Sequence, residues 1–301
     1  MTKFYKMTQV RRGPKKSGLF QMDHSLGQNL LKSKVVVKNI VDFGEPHPGD
    51  MILEIGPGNG NMTQEMMSRG CNVIAVEKDP RMVVELQKRF QKTLSTQLRI
   101  VNADVLQVDL PKFDLCISNI PYNISSAIVF KLLAKPTFRR AVLMVQKEFA
   151  ERIVSRPGSN GWGRLAINTQ LFATVKLVMS VNRKNFVPAP KVDSAVITII
   201  PRQSQPNIDF NEWDGLIKIC FNRPNRTLSA TFKKKKTLAM LNENRNQFLA
   251  AHNLTTDIPI DEFVQKCLEE LLIMDSRPMQ LDIEDFMSLL EKFNNGGLHF
   301  Q

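Results

Sequence analysis

From residue 51 to residue 145 the apolar and polar positions keep changing period. Short apolar runs at 51–55, 72–76, 98–101, 115–118 and 141–145 alternate with stretches at 62–69, 80–91 and 125–133 whose apolar positions recur every three or four residues. The runs read as strands and the longer stretches as helices. The helix at 80–91 also has a start signal, Asp79 at the cap followed by Pro80. Strand and helix in alternation, with glycines at the first turn, predict a doubly wound, mostly parallel sheet whose ligand lies at the carboxyl ends of its strands. A helix at 164–173 and strands at 175–181 and 194–201 are expected to close that sheet with an antiparallel edge. After the polar, proline-bearing stretch 202–207 the strand pattern stops, and 210–221, 227–241, 245–251, 260–273 and 283–293 read as helices. The expected fold class is therefore α/β, a mostly parallel sheet with a small all-helical C-terminal domain. Its parts are a basic, flexible tail at 1–20, a sheet domain at 21–206 and a helical domain at 207–301.

Composition alters this picture little. A chain of 301 residues, 43% of them apolar, can bury such a core without covalent staples. Cys71, Cys116, Cys220 and Cys267 form no C-x-x-C pair and have no histidine at ligand spacing, so they read as reduced core residues, and no metal is expected. The apolar runs are too short to cross a bilayer and the first residues lack the apolar segment of a signal peptide, so no membrane partner is expected. Charge does add something. Lys plus Arg number 41 against 29 Asp plus Glu, a net +12. The excess is clustered at Lys3, Lys6, Arg11, Arg12, Lys15 and Lys16, and again at Arg223, Arg226 and the four lysines 233–236. Clustered positive charge is the footprint of a protein that meets a polyanion.

The first turn of the sheet reads Glu54-Ile55-Gly56-Pro57-Gly58-Asn59-Gly60, and Glu77 ends the next strand. Glycines let the backbone turn sharply and allow a ligand to lie directly against it, while a carboxylate at the second strand end suits the two hydroxyls of a ribose. A nucleoside-containing cofactor is implied. A dinucleotide is disfavoured, because the third glycine comes one residue early for G-x-G-x-x-G, with Asn61 in its place. Glu54 would also repel a pyrophosphate, whereas it pairs well with an ammonium. The pattern E-x-G-x-G-x-G resembles the nucleotide loop of class I methyltransferases, whose cofactor S-adenosylmethionine carries an amino acid and no phosphate. Asp104, at the end of the third strand, falls where that family binds the adenine amine; by itself it would more often be a cap or turn residue.

Asn119-Ile120-Pro121-Tyr122 ends the fourth strand at the same edge. It resembles the [N/D]-x-P-[Y/F/W] motif of enzymes that methylate exocyclic base amines. An adenine amine is a poor nucleophile because its lone pair is delocalised into the ring. Accepting its N–H hydrogens on the Asn119 amide oxygen and on a carbonyl of a rigid Ile-Pro turn localises that pair. Tyr122 would stack on the base, worth about 1–3 kcal/mol. A base taken out of its stack needs a second ring, for which Phe186, on the two-proline loop 186–194, is the candidate; a core phenylalanine is the competing reading.

Together with Leu26-Gly27-Gln28-Asn29-Leu30-Leu31, the stretch 146–152 (QKEFAER), the loop FVPAPKVDS at 186–194 and the C-terminal segments 279–286 and 297–300, these motifs resemble the ribosomal RNA adenine dimethyltransferase family, within it the eukaryotic members acting on small-subunit rRNA. The resemblance runs from about residue 20 to the end. It implies that Gln28, Asn29, Leu31, Gly56, Gly58, Glu77, Asp104 and Asn119 bind S-adenosylmethionine, and that Asn119, Pro121, Tyr122 and Phe186 form the catalytic side. It implies N6,N6-dimethylation of two adjacent adenosines in a hairpin loop near the 3′ end of small-subunit rRNA during ribosome biogenesis. The partners would be that rRNA and pre-ribosomal particles, met by a monomer in the nucleus or nucleolus, or in the cytoplasm. Single methylation, a ribosome-assembly role in which methylation is dispensable, and DNA adenine methylation stay open at this point.

Overall fold

A computed structural model of the chain describes residues 30–300. The basic tail at 1–20, Gln28 and Asn29 lie outside the described residues. The chain enters with β1 (Leu30–Leu31) and α1 (Lys34–Asp42), then winds through β2 (Met51–Ile55), α2 (Asn61–Ser68), β3 (Asn72–Glu77), α3 (Pro80–Arg89), β4 (Leu98–Asn102), β5 (Leu115–Asn119), α4 (Ser125–Ala134) and β6 (Arg140–Gln146). After α5 (Lys147–Ile153) and α6 (Arg164–Phe172) come β7 (Ala173–Val181), the short β8 (Phe186–Val187) and β9 (Ser194–Pro201). Seven strands form one sheet in the order β4-β3-β2-β5-β6-β9-β7. The first five run parallel, and β9 lies antiparallel between β6 and β7.

Alternation along the strands explains the two apolar layers. Leu53, Ile74, Cys116 and Leu143 join Ile128 and Leu132 of α4 in one layer, while Ile52, Val73, Leu115 and Val142 join Ile40 of α1 and Met66 of α2 in the other. A parallel sheet covered on both faces needs such unbroken apolar strands. Chain order reverses between β2 and β5, and there the ladder stops early: the register ends at Leu53 opposite Cys116, and the Ile55 N–H donates to Ser118 Oγ (2.8 Å). The strands part beyond that point, and the crevice between their carboxyl ends is where a doubly wound sheet binds ligand.

Helices α7 (Phe210–Cys220), α8 (Leu228–Phe232), α9 (Lys235–Ala251), α10 (Ile260–Glu270) and α11 (Ile283–Asn295) follow the sheet. Their core of Trp213, Phe232, Phe286 and Phe293 also takes in Trp162, Ala166, Ile167 and Leu171, so α6 is shared with the sheet domain. The shared wall is tied by Trp213 Nε1 donating to Asn168 Oδ1 (3.0 Å) and Trp162 Nε1 donating to the Leu281 carbonyl (2.8 Å). The helices expected at 227–241 and 245–251 are instead a short α8 and one long α9. Asn244 lies inside α9, and its side chain donates to the His299 carbonyl (2.9 Å). Arg245, buried, donates to the carbonyls of Gly296 and Ile258 (both 3.0 Å) and stacks 4.2 Å over the Phe263 ring. Those tertiary partners outweigh the weak helix propensity of asparagine. The four cysteines are free and buried, and no described helix is long and apolar enough to cross a membrane.

Candidate active site

The β2–α2 turn is held by conformations that only glycine adopts readily. Gly58 (φ 56°) and Gly60 (φ 80°) both lie in the left-handed region. A Cβ on Gly58 would meet Leu30 Cδ2 at 2.8 Å, and one on Gly60 would meet Phe90 Cε2 at 2.5 Å. The early third glycine is thereby explained: Gly60 caps α2 and lets it pack against the end of α3, while Asn61 opens the helix and donates through Nδ2 to the Leu31 carbonyl (2.9 Å). Arg89 of α3 closes the loop from outside by donating to the Asn59 carbonyl and to Asn61 Oδ1.

A cavity of about 230 Å³ opens beside this turn, lined by Leu31, Gly56, Gly58, Glu77, Asp104, Asn119, Pro121 and Tyr122. Eight residues that the sequence singled out, from β1, the glycine turn and the ends of β3, β4 and β5, thus meet in one place. Glu54 lies at its base, 1% exposed. Its Oε2 accepts from Thr63 Oγ1 (2.5 Å), whereas Oε1 is buried and has no hydrogen-bond partner. Burial pushes the Glu54 carboxyl up to about 8, with Glu77 adding to the shift and Thr63 opposing it. Glu77 is also buried and also shifted upward by burial, partly offset by the backbone N–H groups of Asp79 and Gly58. Asp104 behaves oppositely. Lys78 Nζ donates to its Oδ2 (2.9 Å) and the Leu106 N–H to its Oδ1 (3.0 Å), and the Lys78 hydrogen bond holds its carboxyl below the usual range. Asp104 is therefore a turn residue and a cavity residue at once.

At the end of β5 the Asn119–Tyr122 stretch abuts the glycine turn: a Cβ on Gly56 would lie 3.7 Å from Pro121 Cδ and 3.9 Å from the Asn119 carbonyl. Ile120 is 1% exposed and its N–H donates to the Met144 carbonyl (3.0 Å), so it anchors the loop. Pro121 (φ −54°, ψ 128°) turns the chain into a short 3-10 turn over Tyr122–Ile124. Tyr122 is half-buried, and its hydroxyl meets Ser194 Oγ at 2.6 Å. Ser194, fully buried at the start of β9, belongs to the loop motif at 186–194, but its sequence gave no hint of this task, because it pairs with a residue 72 positions away. We expect Ser194→Ala to cost about 1 kcal/mol in chemical denaturation. In a Tyr122→Phe background the same change should cost nothing further, the signature of a direct pair.

Phe186 requires a correction. Taken as the candidate second ring, with a core phenylalanine as the competing reading, it is 2% exposed and belongs to the apolar layer that includes Leu31, Val37, Val181 and Val196. The cause is β8, which pairs antiparallel with β1 so that Phe186 faces Leu31 in register and its ring turns into the core. Tyr122 is the one aromatic among the described residues that line the cavity. Among the described residues no cluster of His, Cys, Asp and Glu could hold a metal ion.

An ammonium matches the orphaned Glu54 oxygen, a diol matches Glu77, and an acceptor stands at Asp104. The chain thus presents a cradle for an amino-acid-bearing nucleoside, adjoining an amide and an aromatic ring suited to a flat amine. Comparison with known proteins points the same way. The model of the ribosomal RNA adenine dimethylase family matches residues 19–270. A probable dimethyladenosine transferase of Dictyostelium discoideum is 46% identical, with 94% of this chain and 92% of that protein covered. A ribosomal RNA small subunit methyltransferase of Arabidopsis thaliana is 41% identical, with 92% of this chain and 91% of that protein covered. The crystal structure of a dimethyladenosine transferase from Plasmodium falciparum superposes with a TM-score of 0.86 at 39% identity, covering 90% of this chain and 100% of that one.

Proposed function

This chain belongs to the ribosomal RNA adenine dimethylase family, and from that premise we propose how its cavity is used. The protein is an S-adenosylmethionine-dependent methyltransferase that dimethylates adenine in ribosomal RNA. When bound, the cofactor supplies a methyl group already activated by its sulfonium charge. The residues present fit it: the unpartnered Glu54 Oε1 takes the ammonium, Glu77 the ribose hydroxyls and Asp104 the adenine amine. Gly56 and Gly58 allow close approach, and Leu31 and Asn119 complete the wall. Gln28 and Asn29 join this set by the family resemblance.

The methyl-accepting side is the Asn119–Tyr122 loop. Its amide oxygen and the Ile120 carbonyl accept the hydrogens of the target amine, which returns the lone pair to nitrogen. Burial of Ile120 and the Pro121 ring hold that carbonyl in place, so little reorganisation accompanies reaction. Tyr122, steered by Ser194, offers its face to the extruded base. The observation that carries this reading is the meeting, in one cavity, of Asn119 and Tyr122 with Glu54, Glu77 and Asp104.

The substrate is a pair of adjacent adenosines in a hairpin loop near the 3′ end of small-subunit rRNA, met in pre-ribosomal particles in the nucleus or nucleolus by a monomeric enzyme. The Arabidopsis relative's name and the exposed basic residues Arg223, Arg226, Lys233, Lys235 and Lys236 support it. Purified protein, S-adenosylmethionine and small-subunit precursor particles should yield two neighbouring dimethyladenosines by mass spectrometry of the digested rRNA. Unmodified adenosines in that loop, in particles that remain intact, would refute this choice of substrate.

A further inference from the structure

Among the charged residues that line the cavity, Lys78 is the one to which the reaction assigns no task. It follows Glu77 at the end of β3, and its side chain is 63% exposed, yet it lines the cavity with Nζ 2.9 Å from Asp104 Oδ2. Its backbone is rigid. Glu77 stands opposite Asn102 in register, and Asn102 Nδ2 donates to the carbonyls of Glu77 (2.9 Å) and Lys78 (3.3 Å). The Ala103 N–H also donates to the Glu77 carbonyl (3.1 Å). Asp104 is gripped from the other side by the Leu106 N–H. An ion pair this exposed adds little to folding stability, so stability alone does not account for its place in the wall.

We propose that Lys78 is the positioning residue for the purine: its ammonium orients the Asp104 carboxylate toward the cofactor's 6-amino group, and its four-carbon stem covers the purine face. The inference rests on the placement of the adenosine between Glu77 and Asp104 given above. A carboxylate held ionised can only accept hydrogen bonds, so it welcomes a 6-amino purine and rejects a 6-oxo one. The Lys78 hydrogen bond to Oδ2 and the Leu106 N–H bond to Oδ1 fix the direction in which that carboxylate faces, and long lysine stems commonly lie along apolar surface while the charge stays in water.

Calorimetric titration of the full chain with S-adenosylhomocysteine and with its inosine counterpart tests the assignment. Lys78→Ala should weaken the adenosine compound ~10-fold and shrink its preference over the inosine compound. Lys78→Met, which keeps the stem without the charge, should regain affinity but not preference, and Lys78→Arg should regain both. The thermal midpoint of all three should stay at the wild-type value. Wild-type affinity and preference in Lys78→Ala would overturn the proposal. A wild-type protein that binds neither compound would instead overturn the placement of the cofactor on which it rests.

Discussion

Asn119→Ala lowers the single-turnover rate of methyl transfer roughly 10²–10³-fold, the usual loss when one preorganised hydrogen-bonding group is taken from a reacting centre. The position is demanding for two reasons. Asn119 ends β5 three residues beyond the last β2–β5 pair, and a proline two residues later keeps the chain from relaxing into the gap. Its amide oxygen is also asked to raise the nucleophilicity of the amine, an effect that grows along the reaction coordinate, so the loss falls on kcat more than on RNA affinity. Asn119→Asp keeps an acceptor oxygen and should fall between wild type and alanine. Rapid-quench methylation of an rRNA hairpin at saturating cofactor reads the rate directly. A loss confined to KM would show that Asn119 merely binds.

Glu54 makes folding stability and cofactor affinity respond to pH in opposite directions. Its carboxyl is pushed up to about 8 in the folded protein from an ordinary 4.5, because burial disfavours the charge. Above about pH 4.5 the unfolded chain gives up this proton while the folded chain keeps it, so the folded state binds more protons and stability falls as pH rises. The contribution is fully present below the unfolded value and is lost as pH climbs through about 8, an amount on the order of 5 kcal/mol. Glu77 is shifted the same way and Arg89 opposes Glu54's shift, so the comparison with Glu54→Gln isolates the one residue. Chemical denaturation from about pH 5 to pH 9 should show a downward slope in wild type that is reduced in Glu54→Gln. Cofactor binding runs the other way. An ammonium is held by the ionised carboxyl, so affinity should rise up to about tenfold per pH unit below 8, with a proton released on binding. Equal pH profiles for the two proteins, in stability or in binding, would remove Glu54 from this account.

Most of the architecture can be read from local pattern. The strands of the parallel sheet and the helices between them follow apolar runs and caps that act over a few residues, as at Asp79 and Pro80, where the Asp79 carboxylate accepts from the Arg81 N–H. The motifs at 54–60 and 119–122 are equally local, since each letter answers a need of its own turn. Less legible were α1, α5 and the two-residue β1 and β8, which are short or depend on distant partners. The continuous α9 belongs with them, because the acceptors that hold Arg245 lie at Ile258 and Gly296.

By itself, then, the sequence determined the α/β class, the glycine turn, the acids at two strand ends and the amide-proline-tyrosine loop, since these are written in contiguous residues. Only the tertiary structure decided that Phe186 faces the core, that Ser194 steers Tyr122, that Lys78 grips Asp104 and that one Glu54 oxygen is left without a partner. Each of those depends on where strands far apart in the chain end beside one another. Side-chain period is a property of one segment, whereas register and burial belong to the packed whole.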